Sequence, residues 1–185
     1  MKIGILALQG AFLEHRNALE SLGVNCQEIR QKSDLSGISA LVLPGGESTV
    51  QGKLLHSLDL FSDLQKEIKE GLPVLATCAG LILLAQEIEG SSSPHLATLP
   101  VCVKRNAYGR QLGSFECTST VGDIQDFPHT FIRAPYITRV SEGVEILSKV
   151  EDHIVGVSYQ KQIGLAFHPE MTKDLRIHKM FLDLI

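Results

Sequence analysis

Short apolar runs alternate, along the first half of the chain, with longer stretches whose apolar positions recur at helical spacing. Residues 2–8 predict a strand, 12–22 an amphipathic helix closed by Gly23, and 25–29 a second strand, which is the β-α-β rhythm of a parallel sheet. Residues 40–43 are wholly apolar and run into Pro44-Gly45-Gly46, residues 61–70 predict a helix stopped by Gly71, and residues 73–77 predict the next strand. A sharp turn at Ala79-Gly80 leads into a second apolar run, 81–85, read as helix. From Gly90 to about Val121 the rhythm loosens into Ser91-Ser92-Ser93-Pro94 and extended, polar-alternating segments, which predict antiparallel strands attached to the sheet. Residues 144–150, 154–159 and 163–167 predict three more strands, and 173–185 a closing amphipathic helix. With no linker and no repeat, the expectation is one domain over residues 1–185. Its fold class is α/β, a three-layer α/β/α sandwich around a mostly parallel sheet with added antiparallel strands.

Composition narrows the functional classes. Hydrophobic residues make up 44% of the 185 positions and Trp is absent, so an aliphatic core of useful size is available. The formal charge of -4, the pI near 6.0 and the lack of a basic stripe exclude a general nucleic-acid binder. Cys26, Cys78, Cys102 and Cys117 show no CxxC pair and no ligand-spaced histidines, which argues against a zinc site or a disulfide framework. Reduced thiols in the cytoplasm are expected. The apolar start is too short for a signal segment or a membrane span.

Within this frame the predicted strand–turn–helix around Cys78 has the build of a nucleophile elbow, with sulfur in place of oxygen. A cysteine there projects from the strand end, and backbone N–H groups at the next helix favour its thiolate. Taken alone, Cys78 reads equally well as a small buried apolar residue. A nucleophile needs a base and an orienting group, and His168-Pro169-Glu170 follows a predicted strand far downstream. In an extended segment His168 and Glu170 face the same side, and Pro169 keeps His168 out of the helical region. By itself the tripeptide also fits a surface His and Glu at a strand end.

Pro44-Gly45-Gly46-Glu47-Ser48 supplies a third component after its strand. The N–H of Gly46, with that of Ala79, suits a developing oxyanion. The loop lacks the Lys-Ser/Thr ending of a P-loop and the spacing of a dinucleotide site.

Six segments together resemble a known family: Gln9-Gly10 with Glu14-His15, Pro44-Gly45-Gly46-Glu47-Ser48-Thr49, Thr77-Cys78-Ala79-Gly80-Leu81-Ile82, Arg105-Asn106 with Gly109-Arg110-Gln111, Phe131-Ile132-Arg133-Ala134-Pro135, and Phe167-His168-Pro169-Glu170. The family is the class I, triad-type glutamine amidotransferases, of flavodoxin-like fold, and within it the glutaminases that serve pyridoxal 5'-phosphate synthases. The resemblance implies hydrolysis of L-glutamine to glutamate and ammonia by a triad of Cys78, His168 and Glu170. It implies contacts to glutamine from Gly46, Glu47, Ser48, Arg105, Arg133 and Ala134. A free amino acid carries an ammonium and a carboxylate, so an acidic group and a fixed cation in the site are physically reasonable. The resemblance further implies ammonia transfer to a TIM-barrel synthase subunit, activation on docking with reorientation of the Gly45-Gly46 peptide as the switch, and no cofactor or metal in this chain. Val50 and the helix-interior Gly52 depart from the family pattern, and Gly52 is expected to loosen its turn by about 1 kcal/mol. Arg110 carries no assignment, nor do His15, His56, His95, His129, His153 and His178, most of which are expected at the surface or in loops. A glutaminase of another pathway, or a cysteine sensor without catalysis, remain the alternatives at this level.

Overall fold

A computed structural model describes residues 1–91, 95–106 and 113–185. Its organising feature is a reversal of strand order. The chain runs from β1 (Lys2–Leu6) through α1 (Phe12–Ser21) to β2 (Asn25–Ile29), returns to place β3 (Ala40–Leu43) on the other side of β1, and continues through α2 (Ser48–Ser57) and α3 (Phe61–Lys69) to β4 (Val74–Thr77). All these pairings are parallel. Right-handed crossovers that step in opposite directions along a sheet lie on opposite faces. The reversal therefore puts α1 on one face and α2 with α3 on the other. β3 and β4 are buried along their whole length, and such central strands read as continuous apolar runs.

After α4 (Ala79–Leu84) come β5 (Ala85–Ile88) and β6 (Leu99–Lys104), then a hairpin of β7 (Ser114–Val121) and β8 (Ile124–Ile132), then β9 (Tyr136–Val140), β10 (Glu145–Val150), β11 (His153–Tyr159) and β12 (Gln162–Leu165), and finally α5 (Arg176–Leu182). The main sheet has the order β2-β1-β3-β4-β12-β11-β9-β6-β5, with β10 paired to β11. β12 closes the parallel part by pairing with β4 in register Thr77↔Leu165. The α/β class and the mostly parallel sheet with antiparallel additions agree with the sequence pattern. No helix among the described residues is long and apolar enough to cross a membrane.

Several elements differ from expectation. The apolar run after Cys78 is helical for only six residues and then becomes β5. Its six helical residues are all buried, so periodicity could not mark where helix gives way to strand. The polar-alternating segment around residues 114–121 forms a separate two-stranded sheet with β8 instead of joining the main one. β8 itself has a legible period of two: Phe127, His129 and Phe131 are buried on one side, and all three rings lie against Phe167, with His129 at a centroid distance of 4.0 Å. This aromatic cluster pins the segment that precedes His168. The Gly109-Arg110-Gln111 motif and residues 92–94 lie outside the described residues.

Three of the six remaining histidines depart from the surface or loop placement expected for most of them. His15, His129 and His178 are fully buried. His15 on α1 and His178 on α5 meet ring to ring, Nδ1 to Nε2 at 3.1 Å, and His129 bonds Phe127 O at 2.8 Å and Ser148 Oγ at 3.0 Å. Gly52 also changes meaning. A Cβ at this position would collide with the His95 ring, so the glycine lets α2 pass close beneath that ring.

Two outcomes follow from this packing. Gly52→Ala, which in an open helix would gain about 1 kcal/mol, is expected to lower the urea midpoint of this chain. In a His95→Ala background the same change is expected to raise it. Burial holds His15 and His129 below the usual imidazole range and, with His15 beside it, takes His178 down to about 3. These rings stay neutral in the fold and bind protons on unfolding, so their stabilisation is complete above about pH 6.5 and lost as pH falls toward the depressed values. The urea midpoint should therefore fall between pH 7 and pH 5, with a shallower slope in His178→Gln.

Candidate active site

Ligands of open α/β sheets collect beyond the carboxyl ends of the strands, where the strand order reverses. Here that place lies between β1 and β3. Residues 9–11 leave β1 there and residues 45–48 leave β3, while Cys78 follows β4 and His168 follows β12. These segments, with Arg105, Asn106, Ile132 and Arg133, line a cavity of about 340 Å³. Of the residues singled out in the sequence, Gly46, Glu47, Ser48, Cys78, Arg105, Arg133 and His168 face this cavity. Ala79 is the first residue of α4, Glu170 lies behind His168, and Ala134 is buried at 1% exposure. These three are not among the lining residues.

The turn at Cys78 is as sharp as the sequence suggests. Its φ of 48° and ψ of -99° lie in a region that costs an L-residue about 1–3 kcal/mol and persists only when the surroundings impose it. They do so here, because the Cys78 N–H donates to Leu165 O at 2.8 Å, extending the β4–β12 ladder by one residue. Gly80 then passes so near the Leu43 carbonyl that a Cβ would overlap it. With only six residues in α4, its dipole is a weaker aid to a thiolate than the sequence reading assumed.

His168 Nδ1 lies 2.7 Å from Glu170 Oε1, with the two side chains 6% and 0% exposed. The route to this pairing differs from the expected extended segment. Pro169–Met171 forms a 3-10 turn with Pro169 at its first position, so the carboxylate comes round to the ring by a tight turn. The ring is anchored through its backbone, whose N–H donates to Thr130 O on β8 at 2.9 Å. Burial alone would lower the His168 pKa, but hydrogen bonds to Cys78 and Glu170 and their negative charges outweigh it and raise it to about 10. Burial works against ionisation of Glu170 as well, yet His15 and His168 hold its pKa below the usual carboxylate range.

Behind Glu170 stand residues that sequence reasoning left aside. His15 Nε2 is 3.3 Å from Glu170 Oε2 and 3.0 Å from Thr77 Oγ1. The first is a close polar contact without hydrogen-bond alignment, since Oε2 has no aligned donor among the described residues. Helical spacing held a signal for these residues: His15 shares the buried stripe of α1 with Leu19, and His178 that of α5 with Ile177 and Phe181.

The loop after β3 is held from three sides. Gly45 N–H donates to Thr77 Oγ1 at 3.1 Å, Ala11 N–H donates to Gly45 O at 3.0 Å, and Glu47 N–H donates to Gln9 Oε1 at 2.7 Å. Gly10, at φ 101°, makes the second of these possible, because a Cβ there would overlap Gly45 O. In a trans peptide the N–H points opposite to the C=O, so the bond to Ala11 also sets the direction of the Gly46 N–H. Glu47 caps α2 through the N–H groups of Thr49 and Val50 at 3.1 and 2.8 Å. Burial opposes its ionisation, but these bonds and the charge of Arg105 keep its pKa below the ordinary value. Arg105 Nη1 is 3.4 Å from Thr49 Oγ1. Arg133 sits at φ 44° with its N–H bonded to Gly113 O at 2.6 Å.

This arrangement has counterparts among known proteins. The chain is 61% identical over 186 residues to a pyridoxal 5'-phosphate synthase subunit PdxT of Desulfitobacterium hafniense (strain Y51), covering 100% of this chain and 94% of the relative. It is 49% identical over 188 residues to the subunit of the same name from Streptococcus pneumoniae (strain ATCC 700669 / Spain 23F-1), covering 100% and 97%. A crystal structure described as a glutamine amidotransferase superposes with a TM-score of 0.94 at 46% identity, covering 98% of this chain and 97% of that one. PurLQS from Thermotoga maritima, at 15% identity and a TM-score of 0.69, shares the fold alone. The SNO glutamine amidotransferase family model matches residues 5–185, and the chain belongs to that family.

Proposed function

We propose that this chain hydrolyses L-glutamine to glutamate and ammonia and delivers the ammonia to a pyridoxal 5'-phosphate synthase. The observation that carries the reading is the line Cys78, His168, Glu170 at the carboxyl edge of the sheet, with His168 Nδ1 2.7 Å from the buried carboxylate, in a chain 61% identical to a PdxT subunit.

The chemistry divides among the residues as follows. His168 takes the Cys78 thiol proton, and the sulfur attacks the side-chain amide carbon of glutamine. Charge gathers on the amide oxygen, for which the N–H groups of Gly46 and Ala79 are the donors. The C–N bond breaks as imidazolium gives its proton to the nitrogen, and ammonia leaves behind a thioester. Water, deprotonated by His168, then releases glutamate and restores the thiol. Glu170 keeps the ring oriented and stabilises its cationic form. Glu47, Ser48, Arg105 and Arg133 form the glutamine subsite, with Ala134 backing Arg133 from outside the lining, the carboxylate of Glu47 facing the substrate ammonium and the guanidinium groups its carboxylate.

The partner that receives ammonia is a TIM-barrel synthase subunit in a hetero-oligomer, in the cytoplasm. Docking acts by reorienting the Gly45-Gly46 peptide, and the Ala11 N–H to Gly45 O bond is what such a reorientation must break. The chain constitutes a single glutaminase domain over 1–185 and needs no cofactor or metal of its own.

The test is glutamate release from glutamine by the purified chain, with and without the synthase subunit of the same organism. Strong activation by the synthase is expected, with Cys78→Ala lowering the activated rate by roughly 10³-fold or more. Equal rates with and without the synthase would move the ammonia to another pathway. Absence of release in both mixtures would remove the enzymatic reading.

A further inference from the structure

Two imidazoles, from the first helix and the last, are buried without solvent contact behind the carboxylate that faces His168. Packing alone does not call for them. Apolar side chains would fill the space between α1 and α5 without the cost of desolvating polar rings, and this arrangement leaves His178 Nδ1 and Glu170 Oε2 without aligned partners among the described residues.

We propose that His15 and His178 are positioning residues for Glu170: His178 sets the tautomer of His15, and the His15 Nε2–H, directed at Thr77 Oγ1, turns the positive end of its dipole toward Oε2 so that Oε1 stays turned toward His168. This rests on the functional reading above.

The hydrogen-bond roles follow from the contacts. If His178 Nε2–H donates to His15 Nδ1 across 3.1 Å, His15 carries its proton on Nε2, directed at Thr77 Oγ1 at 3.0 Å and flanking Glu170 Oε2 at 3.3 Å. The unpartnered His178 Nδ1 is then a bare lone pair. In the opposite tautomer the His15 lone pair would face a carboxylate oxygen, and His178 would bury an unpaired N–H, which is the costlier orphan. Burial keeps both rings neutral, so the contact to Glu170 is an N–H dipole on an anion. The ionisable groups around the carboxylate are then His15 from α1, His168 two residues before it and His178 from α5, with Glu14 acting on His15 and Cys78 on His168.

Thr77 extends the arrangement to the substrate side. Its hydroxyl oxygen receives both the His15 contact and the Gly45 N–H, while Ala11, at the head of the helix that carries His15, holds Gly45 O. Glu170 and the Gly45 peptide are thereby tied to the same helix.

The experiment compares His15→Leu with His15→Gln, and His178→Leu with His178→Gln. Leucine removes the polar group, whereas the glutamine amide nitrogen can occupy the place of the ring Nε2. Glutaminase kinetics are measured in the complex with the synthase, and the rate of Cys78 alkylation by iodoacetamide at pH 7 is measured on the free chain. The leucine variants are expected to lose about 10- to 100-fold in kcat with little change in KM, and to alkylate more slowly, because an imidazolium without an oriented carboxylate supports the sulfur less well. The glutamine variants should recover most of both losses. Leucine variants that match the parent would overturn the proposal, as would glutamine variants as impaired as leucine ones. If one leucine variant melts below the assay temperature, the pair at the other histidine decides. Alkylation needs no glutamine, so it still decides the positioning role should the parent fail as a glutaminase.

Discussion

The pairing of β4 with β12 is the constraint on which the site depends. Thr77 and Leu165 are partners at the end of that ladder, and one further bond, from the Cys78 N–H to the Leu165 carbonyl, carries it past the strand. The two segments that bear the sulfur and the imidazole therefore leave the sheet side by side from adjacent parallel strands. Both strands are buried along their whole length, so a slip of one residue would exchange the side chains packed against the two helical layers, and the register is secured by the whole central sheet. The strained backbone of Cys78 persists for the same reason. A ladder bond on one side and the close pass of Gly80 over Leu43 on the other leave the turn no relaxed alternative.

Holding the backbone does not by itself align a buried acid with a ring. Taking a carboxylate out of water is costly, and Glu170 is kept ionised by the imidazole it contacts and by a second imidazole behind it. The 3-10 turn at Pro169 brings its carboxylate to one face of His168, while the β7–β8 hairpin holds the backbone of the same residue through Thr130. A separate ribbon thus supports the site without joining the main sheet, its aromatic face packing on Phe167 immediately before the histidine.

The loop after β3 shows a different economy. It has few side-chain contacts of its own and is defined by what surrounds it: Gln9 and Ala11 from the β1 exit, Thr77 from the end of β4, and Gln51 from α2, whose Nε2 reaches Gln9 O at 2.9 Å. Most of these partners come from segments that also border the cavity. A displacement of the head of α1 would act directly on the direction of the Gly45-Gly46 peptide, through the Ala11 N–H to Gly45 O bond.

Much of this was legible in the chain alone. The apolar runs at 40–43 and 73–77, the helix around Leu64 and Ile68, and the turn residues after β3 and β4 are local patterns, and local patterns follow from side-chain periodicity and backbone sterics. Cys78, Gly46 and His168 could be singled out because their chemistry is tied to such turns. The short extent of α4, the separate β7–β8 sheet and the packing role of Gly52 depend on which surfaces meet, and an all-apolar run or a lone glycine carries no mark of its neighbours. His15 and His178 are the clearest case. Their spacing placed them on buried helix faces, but nothing near either one in sequence says that the other, together with Glu170, completes its surroundings. That was decided only when the first and last helices packed on the same side of the sheet, because a buried polar group takes its role from partners that the fold brings from far along the chain.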